Sequence, residues 1–367
     1  MIFPKYFVCT ALMSSLLLGC AAPADAGAHR HARKTHTHKA APPADDSIAF
    51  ADTPQWQQVS AFIDMMVAQH GFARRELEAL FRNVHYVDRT VQLMKPAPPG
   101  QPKNWQAYRA RFVEPVRIDA GVAFWNENAD ALARAEQQYG VPAEIIVGIL
   151  GVETIYGRNT GNFRVLDALT TLAFDYPDTP TRDARMDFFR HELESTLLYA
   201  RDYGFDPLSL LGSYAGAIGL PQFMPDSIRK FAVDFDGDGR IDLRNSPVDA
   251  IGSVANFLAQ HGWVRGEPTV FPATIVDTGI NRSWDMFVGQ GLEAKYRLSE
   301  LEAGGVRPAV PPPSDMLYGL IDLQNGDQPT EYWLGARNFF AITHYNRSYF
   351  YAMAVIDLGR AVRAARD

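Results

Sequence analysis

Cysteine is almost missing from this chain: its 367 residues hold only Cys9 and Cys20, both within the first twenty positions. The body therefore has no disulfide, and its stability must come from a packed core, which a chain of this length can build. Net positive charge is missing too. The 35 Lys and Arg against 42 Asp and Glu give a formal charge of −7. That leaves no broad cationic field and excludes nucleic acid as a partner. No internal repeat is found, and no apolar run is long enough to remain in a bilayer. What is present, 47% hydrophobic and 21% charged residues, is ordinary globular composition with room for two or three domains.

The start reads as an export signal. Lys5 supplies a weakly positive opening, and an apolar stretch from about Tyr6 to Leu18 ends in Leu17-Leu18-Gly19-Cys20. A small residue before the cysteine matches the site at which bacterial lipoproteins are cleaved and lipidated on the cysteine; the other reading is simple signal cleavage with Cys20 incidental. Residues 21–50, rich in Ala, Pro, His and basic side chains, show no apolar period and read as a disordered tether. His29, His31, His36 and His38 could bind a metal, but a soluble basic leash near an anionic surface is the preferred reading.

From Trp56 the apolar residues recur at helical spacing: Val59, Phe62, Ile63 and Met66, then Leu77, Leu80 and Phe81. Helices are predicted over Trp105–Phe112 and Gly121–Tyr139, with a proline-rich loop over Lys95–Asn104 before them. Gly140-Val141-Pro142 opens a further helix to about Tyr156, where Gly157 is the expected stop. More helices are expected at Arg185–Asp202, Pro225–Phe235, Pro247–His261 and Tyr349–Ala365. Residues 264–314 change character: Val270, Phe271, Ala273, Ile275 and Val276 suggest short strands, and Met316–Asp322 reads as a return to the core. The fold class is mainly α, with a small β-containing insertion.

Two features carry chemistry. Ile146, Leu150 and Glu153 fall on one helical stripe, so Glu153 faces where the apolar residues face, while Glu144 lies about 180° away and is expected to meet solvent. A carboxyl in apolar surroundings has a raised pKa and can stay protonated to act as a general acid; a buried ion pair would leave the same trace. The segment Ser213-Tyr214-Ala215-Gly216-Ala217-Ile218-Gly219-Leu220-Pro221-Gln222-Phe223-Met224-Pro225 is the second. Its glycines permit close backbone approach, Gln222 can donate and accept, and Tyr214 and Phe223 offer faces for sugar rings, or else pack into the core.

A third motif concerns a metal. In Asp234-Phe235-Asp236-Gly237-Asp238-Gly239-Arg240-Ile241-Asp242, acids at positions one, three and five, glycine at six and isoleucine at eight match an EF-hand loop, with Arg240 at seven giving its carbonyl. Position twelve is Asn245, a poor substitute for a bidentate glutamate. Ser246-Pro247-Val248-Asp249 reads as a helix cap, with proline at the first position and an acid at the third.

Gly151-Val152-Glu153-Thr154, the Ser213–Pro225 segment and Asp249-Ala250-Ile251-Gly252-Ser253-Val254-Ala255-Asn256-Phe257 together resemble the membrane-bound lytic murein transglycosylase B family, from about Trp56 to the end. The resemblance implies a lysozyme-like helical core over 121–263. A helical domain over 51–120 would be completed by 315–367, with the β insertion between. It implies cleavage of the β-1,4 bond between N-acetylmuramic acid and N-acetylglucosamine in peptidoglycan, leaving a 1,6-anhydromuramoyl end. Glu153 would be the single acid and base, with the muramic N-acetyl group assisting. Tyr108, Ser213, Gln222, Phe223, Met224, Tyr345 and Asn346 match the family's substrate site. Core packing with a bonded hydroxyl is the other reading of Tyr345. Phe188 stands where the family often has tyrosine, so one hydrogen bond to the glycan is expected to be missing. The family closes its metal loop on the acid here at Asp249, although this chain is one residue longer before Pro247. The set Asp234, Asp236, Asp238, Arg240 and Asp249 would hold a structural Ca2+ that the cleavage itself does not need. The expected protein is a monomeric lipoprotein, anchored through Cys20 on the periplasmic face of the outer membrane and acting on peptidoglycan strands. A hydrolytic muramidase with the same acid, and a silent peptidoglycan-binding protein, are the competing readings.

Overall fold

The computed structural model describes residues 48–96, 100, 102–276 and 283–367. The signal-like start, the lipidation candidate Cys20 and tether residues 21–47 lie outside the described residues, whereas 48–50, expected as the end of the tether, are ordered: Ile48 and Ala49 pair with Tyr86 and His85, and Phe50 is buried in the core. In chain order the helices are α1 (Trp56–His70), α2 (Arg74–Phe81), α3 (Asp88–Leu93), α4 (Trp105–Arg109), α5 (Pro115–Glu127), α6 (Ala129–Tyr139), α7 (Ala143–Thr154), α8 (Val165–Phe174), α9 (Arg182–Tyr203), α10 (Pro225–Phe231), α11 (Pro247–Gln260), α12 (Leu298–Ala303), α13 (Arg337–Thr343) and α14 (Tyr349–Arg366). The strands are β1 (Ile48–Ala49), β2 (His85–Tyr86), β3 (Phe163–Arg164), β4 (Leu211–Gly212), β5 (Val270–Ile275), β6 (Tyr296–Arg297), β7 (Val306–Pro308), β8 (Leu317–Asn325) and β9 (Gln328–Gly335).

The apolar stripe of α1 is buried as its spacing requires, through Val59, Phe62, Ile63 and Met66. Other boundaries differ from the sequence expectation for local reasons. The helix expected over Gly121–Tyr139 is two helices. Glu114 caps α5 by accepting from the Val116 and Arg117 amides, each at 2.8 Å, with Pro115 in the first turn. α5 then stops at Asn128, whose Nδ2 donates to the Phe124 carbonyl at 2.9 Å and competes with helix continuation. α4 ends at Arg109 rather than Phe112, and α10 at Phe231 rather than Phe235, because Ala232 is already extended.

The sheet reaches further than the expected insertion. Its order is β6-β8-β9-β5-β7, antiparallel throughout. Met316–Asp322 does not open the helical return; most of it lies in β8, and helix resumes only at Arg337. A short apolar run does not reveal its period. In β8 the alternation is clear once seen. Tyr318 and Leu320 join a small cluster with Phe287, Leu301 and Leu334, while Ile321 and Leu323 enter the main core.

α7 is the centre of the helical core. Ala143 and every residue from Ile145 to Val152 are buried, as expected of a helix apolar on all sides. α14 crosses it at close range. A Cβ at Gly148 would sit 2.3 Å from the Val355 carbonyl oxygen, and one at Gly359 would sit 2.1 Å from that of Glu144. Only glycine allows the two backbones to touch in this way. Glu144 is not free in solvent as expected. It is half-buried, and Arg363 of α14 donates to its Oε2 at 3.0 Å.

Candidate active site

Glu153 stands in the last turn of α7. The residue is half-buried; burial raises its carboxyl to about 7, and a bond from Tyr351 offsets part of that rise. The Tyr351 hydroxyl donates to Glu153 Oε1 at 2.6 Å. Tyr351 is fully buried and its phenol is held well above the ordinary value, first by burial and then by the nearby carboxylate, so it is a permanently neutral donor. No neighbouring carboxylate enters the shift at Glu153. Asp167, the next acid along the chain, accepts from Arg164 Nε at 2.6 Å and from the His85 amide at 3.0 Å, and so is structural.

Past Glu153 the chain turns sharply. The expected stop at Gly157 comes earlier: Ile155 and Tyr156 take left-handed φ values of 52° and 56°. A β-branched residue there is strained. The turn is held by the Tyr156 amide bonding back to the Leu150 carbonyl at 3.2 Å, a Schellman-type closure. Thr154 Oγ1 locks it further, accepting from the Gly157 amide and donating to the Leu220 carbonyl, each at 2.9 Å.

That last bond joins the acid's helix to the glycine- and glutamine-bearing segment. Ile218 and Phe223 exchange backbone bonds across a tight turn. Gln222 lies inside it at φ 52°, its Nε2 donating to the carbonyls of Gly219 (2.9 Å) and Thr160 (3.2 Å). Both amide hydrogens are thus used internally, and Oε1 is the group it can offer a ligand. Gly216 and Gly219 do permit close approach, but to Leu169 and to the Leu243 backbone rather than to open space. Ser213 Oγ accepts from the Ala217 amide at 3.0 Å and holds the segment's base.

The aromatics here are not open sugar platforms. Tyr214 and Phe223 are 7% and 3% exposed, and Phe223 packs on Phe257 and Tyr345 at 5.5 and 5.7 Å. Core packing takes precedence because the ring area is worth more buried than wet. Tyr345 is half-buried, its hydroxyl donating to the Pro221 carbonyl at 2.5 Å and its ring nearly parallel to Tyr351 at 6.3 Å. It fulfils the packing reading while standing one residue from half-buried Asn346. Met224 is half-buried at the end of the segment. Tyr108 on α4 lies close enough to feel the Glu153 charge. Burial raises its phenol first and the Glu153 charge second. Phe188 is half-buried, edge-on to Phe189 at 5.1 Å.

The structure therefore brings Glu153, Tyr108, Gln222 and Tyr345 into one neighbourhood. Sequence reasoning missed Tyr351, whose signal is a tyrosine on the buried stripe of α14, where a hydroxyl must find a partner.

The acidic loop is a separate cluster. One carboxylate oxygen from each of Asp234, Asp236 and Asp249 lies within 4.8 Å of the others, a span that oxygens about 2.3–2.6 Å from a common Ca2+ can have. The three fit a hard cation. Asp238 stays outside this trio, accepting from the Arg240 amide at 2.8 Å, and the Asn245 amide group donates to Asp242. Asp249 is 1% exposed, accepts from the amides of Phe235 and Asp242 at 2.8 Å each, and has its carboxyl raised by burial. Ser246 caps α11, accepting from the Asp249 amide at 3.1 Å. The loop also joins the Ser213–Pro225 segment, since the Leu243 carbonyl accepts from the Leu220 amide at 2.8 Å.

Among the described residues no helix is long and apolar enough to cross a membrane. The family model for the transglycosylase SLT domain matches residues 54–360. Membrane-bound lytic murein transglycosylase B of Escherichia coli (strain K12) is 46% identical over 325 residues, 86% of this chain and 85% of that protein. The crystal structure of soluble lytic transglycosylase SltB1 from Pseudomonas aeruginosa is 49% identical, with a TM-score of 0.76 over 84% of this chain and 99% of that one. The Escherichia coli lytic transglycosylase Slt35 in complex with calcium is 46% identical, with a TM-score of 0.74 over 86% of this chain and 95% of that one.

Proposed function

Because the chain belongs to the transglycosylase SLT domain family, we propose that it is a peptidoglycan lytic transglycosylase working through Glu153 alone. The observation that carries this is one half-buried carboxyl, raised to about 7 by burial and held at Oε1 by a neutral phenol. With Oε1 accepting from Tyr351, the proton sits on Oε2. It passes to the glycosidic oxygen as the bond from C1 of the muramoyl unit breaks. The carboxylate left behind keeps its Tyr351 bond and then takes the proton of the C6 hydroxyl as O6 closes on C1. Glu153 ends protonated as it began, and no water is consumed. General acid–base work of this kind is worth about 10²–10⁴ in rate. An intramolecular hydroxyl has the effective molarity to outrun water.

Tyr108, Tyr345, Asn346, Met224 and the Oε1 of Gln222 form the walls that orient the glycan. Ser213 and Phe223 act beneath them, through the segment's shape. Asp234, Asp236 and Asp249 would hold a Ca2+ that ties the loop to α11 and, through Leu243, steadies the 220–222 turn. The family's membrane-bound relative and the Gly19-Cys20 site support a lipoprotein on the periplasmic face of the outer membrane.

The test is mass spectrometry of muropeptides released from purified peptidoglycan by protein lacking residues 1–20, beside Glu153→Gln. Anhydro products, lighter by one water than hydrolysed ones and absent with the variant, are expected. Reducing ends would make the protein a muramidase, and sacculus binding without release would make it a binding protein.

A further inference from the structure

α4 is five residues long, too short to hold itself, yet it carries Tyr108 to the cleft. What holds it comes from the far sheet. β8 ends in an irregularity between Leu323 and Asn325, and the chain turns back at Gly326 (φ 61°). This places Asn325, 5% exposed, under the start of α4. Its Oδ1 accepts from the Gln106 amide at 2.9 Å, an amide in the first helical turn that has no partner within the helix. Its Nδ2 faces the Pro329 carbonyl at 3.3 Å and Glu331 Oε1 at 3.4 Å. Asn104 and Asn325 form a backbone bridge, and the Gly326 amide donates to the Lys103 carbonyl at 2.8 Å. Asn104 Oδ1 takes the Ala107 amide at 2.9 Å. Gln106 also bonds to Glu331 of β9.

The other end of α4 is fixed to the helix that bears Tyr351: Arg109 Nε donates to Asp357 Oδ2 of α14 at 2.6 Å. Between these two fastenings Trp105 is fully buried, and Tyr108 packs on Phe112 at 5.1 Å and on Phe350 at 5.5 Å.

We propose that Asn325 is a positioning residue for the glycan site, and that the tip of the β8–β9 hairpin braces the Tyr108 wall of the cleft. The proposal rests on the reading of Tyr108 as part of that site. Removing the carboxamide hands the Gln106 amide, on an exposed residue, to water, and so removes the side-chain tie between α4 and β8 and lets α4 drift. A misplaced wall weakens glycan binding while Glu153 and Tyr351 keep their own geometry.

The experiment is a double-mutant cycle with Tyr108→Ala on a soluble, uncrosslinked glycan of alternating N-acetylglucosamine and N-acetylmuramic acid. kcat, KM and melting temperature are read for each protein. Asn325→Ala is expected to raise KM about tenfold, the scale of a sub-ångström misplacement, with little change in kcat. Asn325→Asp paired with Glu331→Gln keeps the acceptor for Gln106 without setting two carboxylates together, and should stay near wild type. In the Tyr108→Ala background Asn325→Ala should add nothing. If the two effects multiply, or if folded Asn325→Ala keeps the wild-type KM, the brace is refuted. If the alanine protein does not fold, Asn325→Ser, too short to reach Gln106, replaces it in the cycle. Glu153→Gln and wild type run alongside: an active Glu153→Gln would overturn the reading of the site, whereas multiplying effects with Glu153→Gln silent would overturn the brace alone.

Discussion

Glu153 and Glu192 are glutamates whose carboxyls burial raises, each to about 7. Their neighbourhoods differ. Glu153 is half-buried and meets a neutral phenol. Glu192, in the middle of α9, is 3% exposed, and its Oε2 accepts from the Asp226 amide at 2.9 Å in the first turn of α10. Beyond it, Asp226 is paired with Lys230 at 2.6 Å and His191 at 3.2 Å. A raised pKa thus reports dehydration. It identifies a catalytic acid only when the proton also faces a place where substrate can lie. Glu192 instead supports the helix that follows the Gln222–Met224 corner.

The comparison breaks most visibly by substitution. Glu153→Gln should lower anhydro-muropeptide release by at least about a thousandfold with the melt retained, whereas Glu192→Gln should keep most activity, because glutamine still offers an acceptor to the Asp226 amide. The reverse pattern would exchange the two roles.

Acidity sharpens it next. Glu153 must carry a proton to start the reaction, so kcat/KM should fall about tenfold per pH unit above 7, and Glu192→Gln should leave that limb in place. Stability follows the same direction for both groups. Each folded carboxyl titrates near 7 against 4.5 when unfolded, so the folded state holds the proton more tightly. The resulting stabilisation is complete below 4.5 and is lost as pH rises through 7, at most about 3 kcal/mol per group. Glu192→Gln should therefore melt above wild type at pH 8 and lose that advantage at pH 4. A pH-independent difference between the two melts would contradict the burial argument.

Tyr351→Phe is a smaller step. Loss of one charge-assisted bond should lower kcat about tenfold. Since the Tyr351 bond lowers the Glu153 carboxyl, its removal should move the alkaline limb upward. A limb that moves downward would assign Tyr351 another role. The smallest effect on turnover concerns the acidic loop. Ca2+ at about a hundred times its Kd should stabilise the fold by about 2.7 kcal/mol, read as a melting shift that Asp249→Ala abolishes. A chelator should leave turnover at room temperature nearly unchanged, and a large loss would place the cation closer to the chemistry.

Much of this was legible in the chain. The three- and four-residue apolar spacing locates α1 and α2, and the position of Glu153 on an apolar stripe points to its raised acidity. Other features depend on partners far away in sequence. Tyr351 meets Glu153 across 198 positions, and Asn325 meets Gln106 across 219. No local period reports such pairs. Seven apolar-rich residues at Met316–Asp322 fit either period, so the strand β8 is not legible there although Ile321 does return to the core, and composition does not say which way the rings of Tyr214 and Phe223 turn.

The crossing of α7 and α14 has a consequence for how the protein can vary. Where Gly148 meets the Val355 carbonyl, the spacing between the acid's helix and that of its tyrosine is set by main-chain atoms. Side chains elsewhere in the core can be exchanged without transmitting their changed volumes to that spacing. The reactive pair is insulated from drift in the rest of the molecule, and the same rigidity leaves those glycine positions with no acceptable substitute.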